Sequence, residues 1–188
     1  LGKAMANQQE YFNKVSQLAK NRKFFHLFNQ TKIHERSSND TNVGIITSGI
    51  CYSYVIQACN KLGINPPILK LGLIFPINRQ EICQFASKHD LTKLLVVEEL
   101  EPFIETVSKR IFCNFCDAKQ DLEVWGKESL PNVGELTTDL VMKFLANHLE
   151  VKNRYLLKEI SQKEEVLEEI IPNLPVREPT FCPGCQYR

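Results

Sequence analysis

Three short, almost wholly apolar segments recur through the middle of this chain, each followed by a turn and a helix-period pattern. Val43 to Thr47 leads into a helical pattern from about Cys51 to Leu62, stopped by Gly63 and the Pro66-Pro67 pair. Ile68 to Leu71 leads through a turn into a helix from about Arg79 to Lys88, and Lys93 to Val97 into one from about Pro102 to Arg110. A weaker fourth strand, Leu122 to Trp125, precedes a helix over Leu136 to Leu149, with Thr137 or Thr138 as its cap. Strands that lack polar alternation have no solvated face. They therefore predict a mainly parallel sheet with helices on both sides, an α/β fold. Right-handed crossovers set the hand and leave the strand order open.

Helical and linker patterns flank this core. Residues Ala6 to about Phe28 place Phe12, Val15, Leu18 and Ala19 on one stripe. Glu35 to Asn42 is polar and turn-rich, a linker into the next domain. From Val151 to Ile171 runs a charged amphipathic helix, ended by Pro172 and Pro175. The predicted organisation is a helical linker over 1–42, an α/β domain over 43–149, and a helix and linker over 150–188.

The last segment closes on Cys182-Pro183-Gly184-Cys185. Two thiolates at this spacing can share one metal or cluster, yet zinc and iron–sulfur sites usually take four ligands, and no cysteine follows. The chain also starts at Leu1, inside a helical composition. Both ends suggest an internal piece of a longer protein.

Net charge is +1, and no lysine–arginine cluster is interleaved with aromatics, so nothing marks a nucleic-acid footprint. The longest apolar runs fall far short of a membrane span. Seven cysteines, with Cys51, Cys59 and Cys83 in apolar helical patterns, suggest buried thiols in a reducing, cytoplasmic compartment rather than a disulfide framework. His26, His34, His89 and His148 share no spacing and are expected on the surface.

Special turns follow all four strands: Thr47-Ser48-Gly49, Gly72 through Pro76, Glu98-Glu99-Leu100-Glu101-Pro102-Phe103, and Gly126-Lys127. In an open α/β sheet these lie along one edge, where ligands or partners dock. Small polar residues and glycines are also what such turns need in any case. The candidate contact residues are Thr47, Ser48, Gly49, Glu98, Glu99 and Glu101. The helix start after Ser48-Gly49 could hold a phosphate or carboxylate, although Gly-x-Gly-x-x-Gly and a Walker lysine are missing. The glutamates could supply a general base or ligands for a hard cation, or simply cap a helix dipole. Cys113 and Cys116 form a second Cys-x-x-Cys, separated from Cys182 by far more than the roughly 15–20 residues of a zinc ribbon.

Taken in order, Gly44-Ile45-Ile46-Thr47-Ser48-Gly49-Ile50 with Tyr52 and Tyr54-Val55, Leu69-Lys70-Leu71-Gly72 with Phe75-Pro76, and Leu95-Val96-Val97-Glu98-Glu99-Leu100-Glu101-Pro102-Phe103-Ile104-Glu105 form a collinear set of motifs. With Gly126-Lys127, Gly134-Glu135-Leu136 and the terminal Cys-Pro-Gly-Cys, this set resembles the large subunit of indolepyruvate ferredoxin oxidoreductases over roughly residues 10–188. The resemblance implies a transketolase C-terminal-like domain, a three-layer sandwich with a mainly parallel sheet. It also implies a parent enzyme that uses thiamine diphosphate, magnesium and [4Fe-4S] clusters to decarboxylate aryl-pyruvates oxidatively to acyl-CoA. Such an enzyme passes electrons to ferredoxin and works with other domains of its own chain and a smaller partner subunit.

Within that resemblance the segment is non-catalytic and serves domain and subunit contacts. It carries no Gly-Asp-Gly…Asn-type thiamine diphosphate signature. Cys182 and Cys185 are the positions onto which a cluster-ligand role carries over. Gln186-Tyr187-Arg188 stands where the family usually has Pro-His-Arg, and Cys113 and Cys116 match no family position. A different expectation is a stand-alone interaction or anion-binding module of the same fold.

Overall fold

Hydrophobic strands buried on both faces need a helical layer on each side, and the computed structural model has that arrangement. It describes residues 42–116, 121–151 and 154–175, together with 30–32 and residues 10, 14 and 17. The chain divides into two compact units, residues 1–153 and 154–188.

In the first unit the elements are β1 (Gln30–Lys32), β2 (Val43–Ser48), α1 (Cys51–Leu62), β3 (Ile68–Leu71), α2 (Arg79–Lys88), β4 (Lys93–Val97), α3 (Phe103–Phe115), β5 (Glu123–Trp125) and α4 (Thr138–His148). The strand order is β1-β3-β2-β4-β5. Strands β2, β3, β4 and β5 are parallel, with Ile45 opposite Ile68 on one side and Leu95 on the other. β1 pairs antiparallel with β3 and gives the sheet an edge that the apolar pattern does not signal. Gln30-Thr31-Lys32 is short and polar, so hydrophobic periodicity has nothing to register there.

Side chains alternate across the sheet. Ile46, Leu69, Leu71, Leu94 and Val96 face one layer, packed with Ile82, Phe85 and Ala86 of α2 and Ile104, Ile111 and Phe112 of α3. The intervening Ile45, Ile68, Leu95 and Val97 are buried as well. On that side α1 and α4 pack against each other, with Val55, Ala58, Leu62, Val141 and Leu145 buried. The result is the expected three-layer α/β sandwich.

Local chemistry sets the helix ends. Asn78 caps α2 by accepting the Gln80 amide at 3.1 Å. Thr137, of the two threonines considered, caps α4 by accepting from Leu140 N at 3.3 Å. Gly63 closes α1 in the left-handed conformation that an L side chain disfavours, with φ of 67°. α3 runs on to Phe115, five residues beyond the predicted end.

Two expectations need correction. His89 is buried against Phe85, with ring centroids 5.2 Å apart, and His148 is half-buried between Trp125 and Phe144, each 5.1 Å away. Imidazole behaves here as an aromatic filler, so these two are not surface residues. The cysteines are not uniformly buried thiols either: Cys51 and Cys59 are free and buried, Cys113 is free and exposed, and Cys83 on α2 is bonded to Cys116 at the end of α3. These two residues are 33 positions apart and belong to different helices, so local spacing does not reveal the pairing.

The second unit contains α5 (Arg154–Ile170) and a 3₁₀ turn at Ile171–Asn173. Asn173 Nδ2 donates to the Glu169 carbonyl at 3.0 Å and helps close the helix before Pro175. No helix among the described residues is long and apolar enough to cross a membrane.

Candidate functional site

The outgoing connections of β2 and β4 diverge. From β2 the chain crosses to β3 on one side, and from β4 it crosses to β5 on the other, while β2 and β4 lie side by side. Their carboxyl ends therefore form the topological switch point, where open α/β sheets leave a crevice. A cleft of about 220 Å³ sits there. Its walls come from Ser48 at the end of β2 with Gly49, Ile50 and Cys51 beyond it, Ile74 after β3, and Glu98, Glu99, Glu101, Phe103 and Ile104 after β4.

The six candidate residues separate by role. Thr47 is fully buried, and its Oγ1 donates to the Val97 carbonyl at 2.8 Å, tying the ends of the two central strands together. It braces the edge and does not line the cleft. Ser48 and Gly49 do line it. Gly49 has φ of 53° with open space around it, so glycine is needed there for backbone conformation and not for room.

Glu98 points inward. It is buried, with Oε2 accepting the Ile104 amide at 2.8 Å and Oε1 the Glu105 amide at 2.9 Å. Pro102 heads α3 and its side chain can cap nothing, so a carboxylate from the preceding strand end takes over the first-turn amides. Burial pushes the Glu98 carboxyl above its usual range, while the two amides and Lys127 pull the other way. With both oxygens committed to the helix, Glu98 is a poor general base or cation ligand. Glu99 and Glu101, by contrast, are exposed and line the cleft.

One anchor went unassigned in the sequence. Glu105 is buried, and its Oε1 accepts from Lys109 Nζ at 2.7 Å while Oε2 accepts the Lys127 amide at 2.8 Å. It clamps the Gly126-Lys127 turn against α3. The Glu105/Lys109 spacing of four was a weak signal of half of this arrangement.

No activated nucleophile faces the cleft among the described residues. Cys51 is buried, and burial first, then the Glu99 charge, pushes its thiol up to about 11. It is therefore neutral at pH 7. Cys113 and Cys116 do not act as a pair, because Cys116 is joined to Cys83. Cys182 and Cys185 lie outside the described residues, and among the described residues no group of three or more His, Cys, Asp or Glu could hold a metal ion.

Around the cleft, apolar side chains stand in solvent. Ile50, Ile74, Phe75, Leu100 and Phe103 are all exposed, Leu100 most of all at 62%. Phe75 and Phe103 meet with ring centroids 6.5 Å apart.

No protein-family profile matches the chain. Curated relatives do. Over 150 residues it is 36% identical to indolepyruvate oxidoreductase subunit IorA of Pyrococcus horikoshii, a match covering 79% of this chain and 22% of that protein. The IorA subunit of Methanothermobacter thermautotrophicus is 31% identical over 153 residues, covering 80% of this chain and 22% of the relative. That of Archaeoglobus fulgidus is 30% identical over 172 residues, covering 90% and 26%. The chain thus spans about a quarter or less of the length of the curated relatives it matches. Among solved structures, a 2-oxoglutarate:ferredoxin oxidoreductase from Magnetococcus marinus shares 18% identity at a TM-score of 0.44, over 63% of this chain and 19% of that one.

Proposed function

We propose that this chain, a relative of the IorA subunits over most of its length, serves as a non-catalytic domain of a larger 2-oxoacid oxidoreductase. The parent reaction in this reading is the oxidative decarboxylation of an aryl-pyruvate such as indolepyruvate, with thiamine diphosphate, magnesium and iron–sulfur clusters in the parent and ferredoxin as acceptor. The domain contributes contacts to the rest of its chain and to a smaller subunit. Cys182 and Cys185 would supply two thiolates toward a cluster completed by ligands outside the described residues.

The IorA similarity carries the proposal. The composition of the cleft supports it. Glu98 is spent on capping α3, Thr47 on bracing the strands, and Cys51 is a buried neutral thiol, so the switch point offers surface and little reactivity. An anion-binding module finds no support at this edge. The α3 amides of Ile104 and Glu105 are already occupied by Glu98, and the exposed charges lining the cleft are the carboxylates of Glu99 and Glu101.

The test is to express the whole reading frame containing this chain with its partner subunit and to follow ferredoxin reduction with indolepyruvate and coenzyme A. Activity of the whole and silence of the purified 188-residue chain is the expected outcome. An inactive whole would refute the parent assignment, and turnover by the chain alone would refute its non-catalytic role.

A further inference from the structure

Leu100 is the oddest residue on the surface. It sits at the tip of the β4–α3 turn with φ of 56°, in the left-handed region, and is 62% exposed. A branched apolar residue in that conformation strains the backbone, and nothing in the fold's core is gained by placing it there. Asparagine or glycine would make the same turn more easily. Such an outlier is most readily explained by a surface that the side chain is held out to meet.

Its neighbours point the same way. Ile50, Ile74 and Phe103 line the cleft at the switch point, and Phe75 rests against Phe103. Phe103 also forms one wall of a second groove, of about 330 Å³, that continues along Pro102, Thr106, Val107 and Arg110. Ile50, Ile74, Phe75 and Phe103, from three separate strand ends, thus line or adjoin one cleft, and Leu100 stands in the turn between the cleft-lining Glu99 and Glu101. Scattered exposed apolar residues are ordinary, but a contiguous patch marks an interaction site. The exposed charges lining the first cleft, Glu99 and Glu101, are both carboxylates.

We propose that this edge docks a polypeptide segment presenting an apolar anchor flanked by a basic side chain. The apolar residue fills the cleft between Ile50, Ile74 and Phe103, and the cation lies beside Glu99 and Glu101. The inference deepens the reading of the chain as one domain of a larger enzyme, and places the segment in the remainder of that enzyme. Charge complementarity selects the occupant: an acidic segment or a free anion would face the exposed carboxylates of Glu99 and Glu101, whereas the nearby Lys127, which acts on Glu98 and Cys51, has its ammonium held by the Pro131 carbonyl at 2.9 Å.

The test is a titration of the isotopically labelled 188-residue chain, followed by amide chemical shifts. The probe is a capped heptapeptide, Ser-Arg-Phe-Ser-Arg-Leu-Ser. Saturable shifts confined to residues 49–51, 74–75 and 98–104 are expected, with a dissociation constant on the order of 1 mM. A control peptide with glutamate for both arginines, and another with serine for phenylalanine and leucine, should bind too weakly to saturate. Glu99→Gln with Glu101→Gln should weaken binding by about threefold, as for two exposed ion pairs. Leu100→Ser should weaken it too, with the spectrum of the sheet unchanged in both variants.

No saturable shift at about ten times that concentration would overturn the proposal. So would equal binding of the acidic control, or line broadening of the same amides that grows with protein concentration alone, which would assign the patch to a second copy of the chain. The titration uses this chain only, so its failure leaves the ferredoxin-reduction assay, and the reading that assay tests, intact.

Discussion

Replacing Gly126 with alanine adds one methyl group beside a buried carboxylate. The new Cβ would run into Glu105 Oε2, lie 2.9 Å from Glu105 Cδ and stand 3.3 Å from the Val96 carbonyl. The φ of Gly126 is outside the left-handed region, so alanine meets no backbone objection and the effect is steric alone. Val96 belongs to central strand β4 and cannot retreat, so Glu105 must. If it moves, the 2.8 Å bond from the Lys127 amide is lost and the turn is unclamped. A hydrogen bond to a charged group contributes about 1.5–3 kcal/mol, and forced repacking adds about 1 kcal/mol or more. The half-exposed Lys109 partner adds little. The sum is about 3 kcal/mol.

Urea unfolding measures it, as a lower midpoint at unchanged slope. Glu105→Ala supplies the control. Alone it should be destabilising, because it removes the same acceptor. Adding Gly126→Ala to it should then cost less than about 0.5 kcal/mol, since the obstructing carboxylate is gone. Additive costs in the double variant, or a Gly126→Ala protein as stable as the parent, would refute the clamp.

Glu98→Ala should cost about 2 kcal/mol in the same assay, through loss of the α3 cap, whereas Glu99→Ala and Glu101→Ala should stay within about 0.5 kcal/mol. His148, lowered first by burial and then by Lys93, with Glu123 opposing, is neutral in the fold. The stability it contributes is present above the ordinary histidine value of 6.5 and is lost as pH falls through its lower folded value, so thermal melts from pH 7.5 to 5 should drop more steeply for the parent than for His148→Phe. Equal slopes would show that His148 is not the titrating group. Peptide mapping without reductant should recover Cys83 linked to Cys116 and Cys113 alkylated, and recovery of all three as free thiols would contradict the pairing.

The layers of the sandwich could be read directly from the chain because β2, β3 and β4 are buried on both faces, which leaves an almost wholly apolar signature. β1 could not. Gln30-Thr31-Lys32 joins the sheet through backbone hydrogen bonds, and backbone pairing leaves no mark in composition. The site divides similarly. That the strand-end turns share one edge follows from parallel topology, so Ser48, Gly49, Glu99 and Glu101 could be placed together in advance. Three carboxylates within four residues, however, look alike in sequence. Only the fold separates Glu98, turned in to hold two amides, from Glu99 and Glu101, left in solvent. Ile50 and Leu100 fall in strand-end turns, where periodicity gives no burial signal, so only the fold shows that both are exposed.

The inward turn of Glu98 has a consequence for the whole edge. A free helix N-terminus at a switch point carries about half a positive charge and would invite an anion. Here the carboxylate arriving from β4 occupies the α3 amides, and the field at the cleft passes to Glu99 and Glu101. The same turn holds Leu100 in its left-handed conformation between those two glutamates. Capping the helix and presenting the apolar tip are thus one structural event, in which the residue that stabilises α3 also aims its neighbours outward. The usual ligand-binding position of such a fold is thereby left acidic at Glu99 and Glu101 and apolar at Ile50, Ile74 and Phe103.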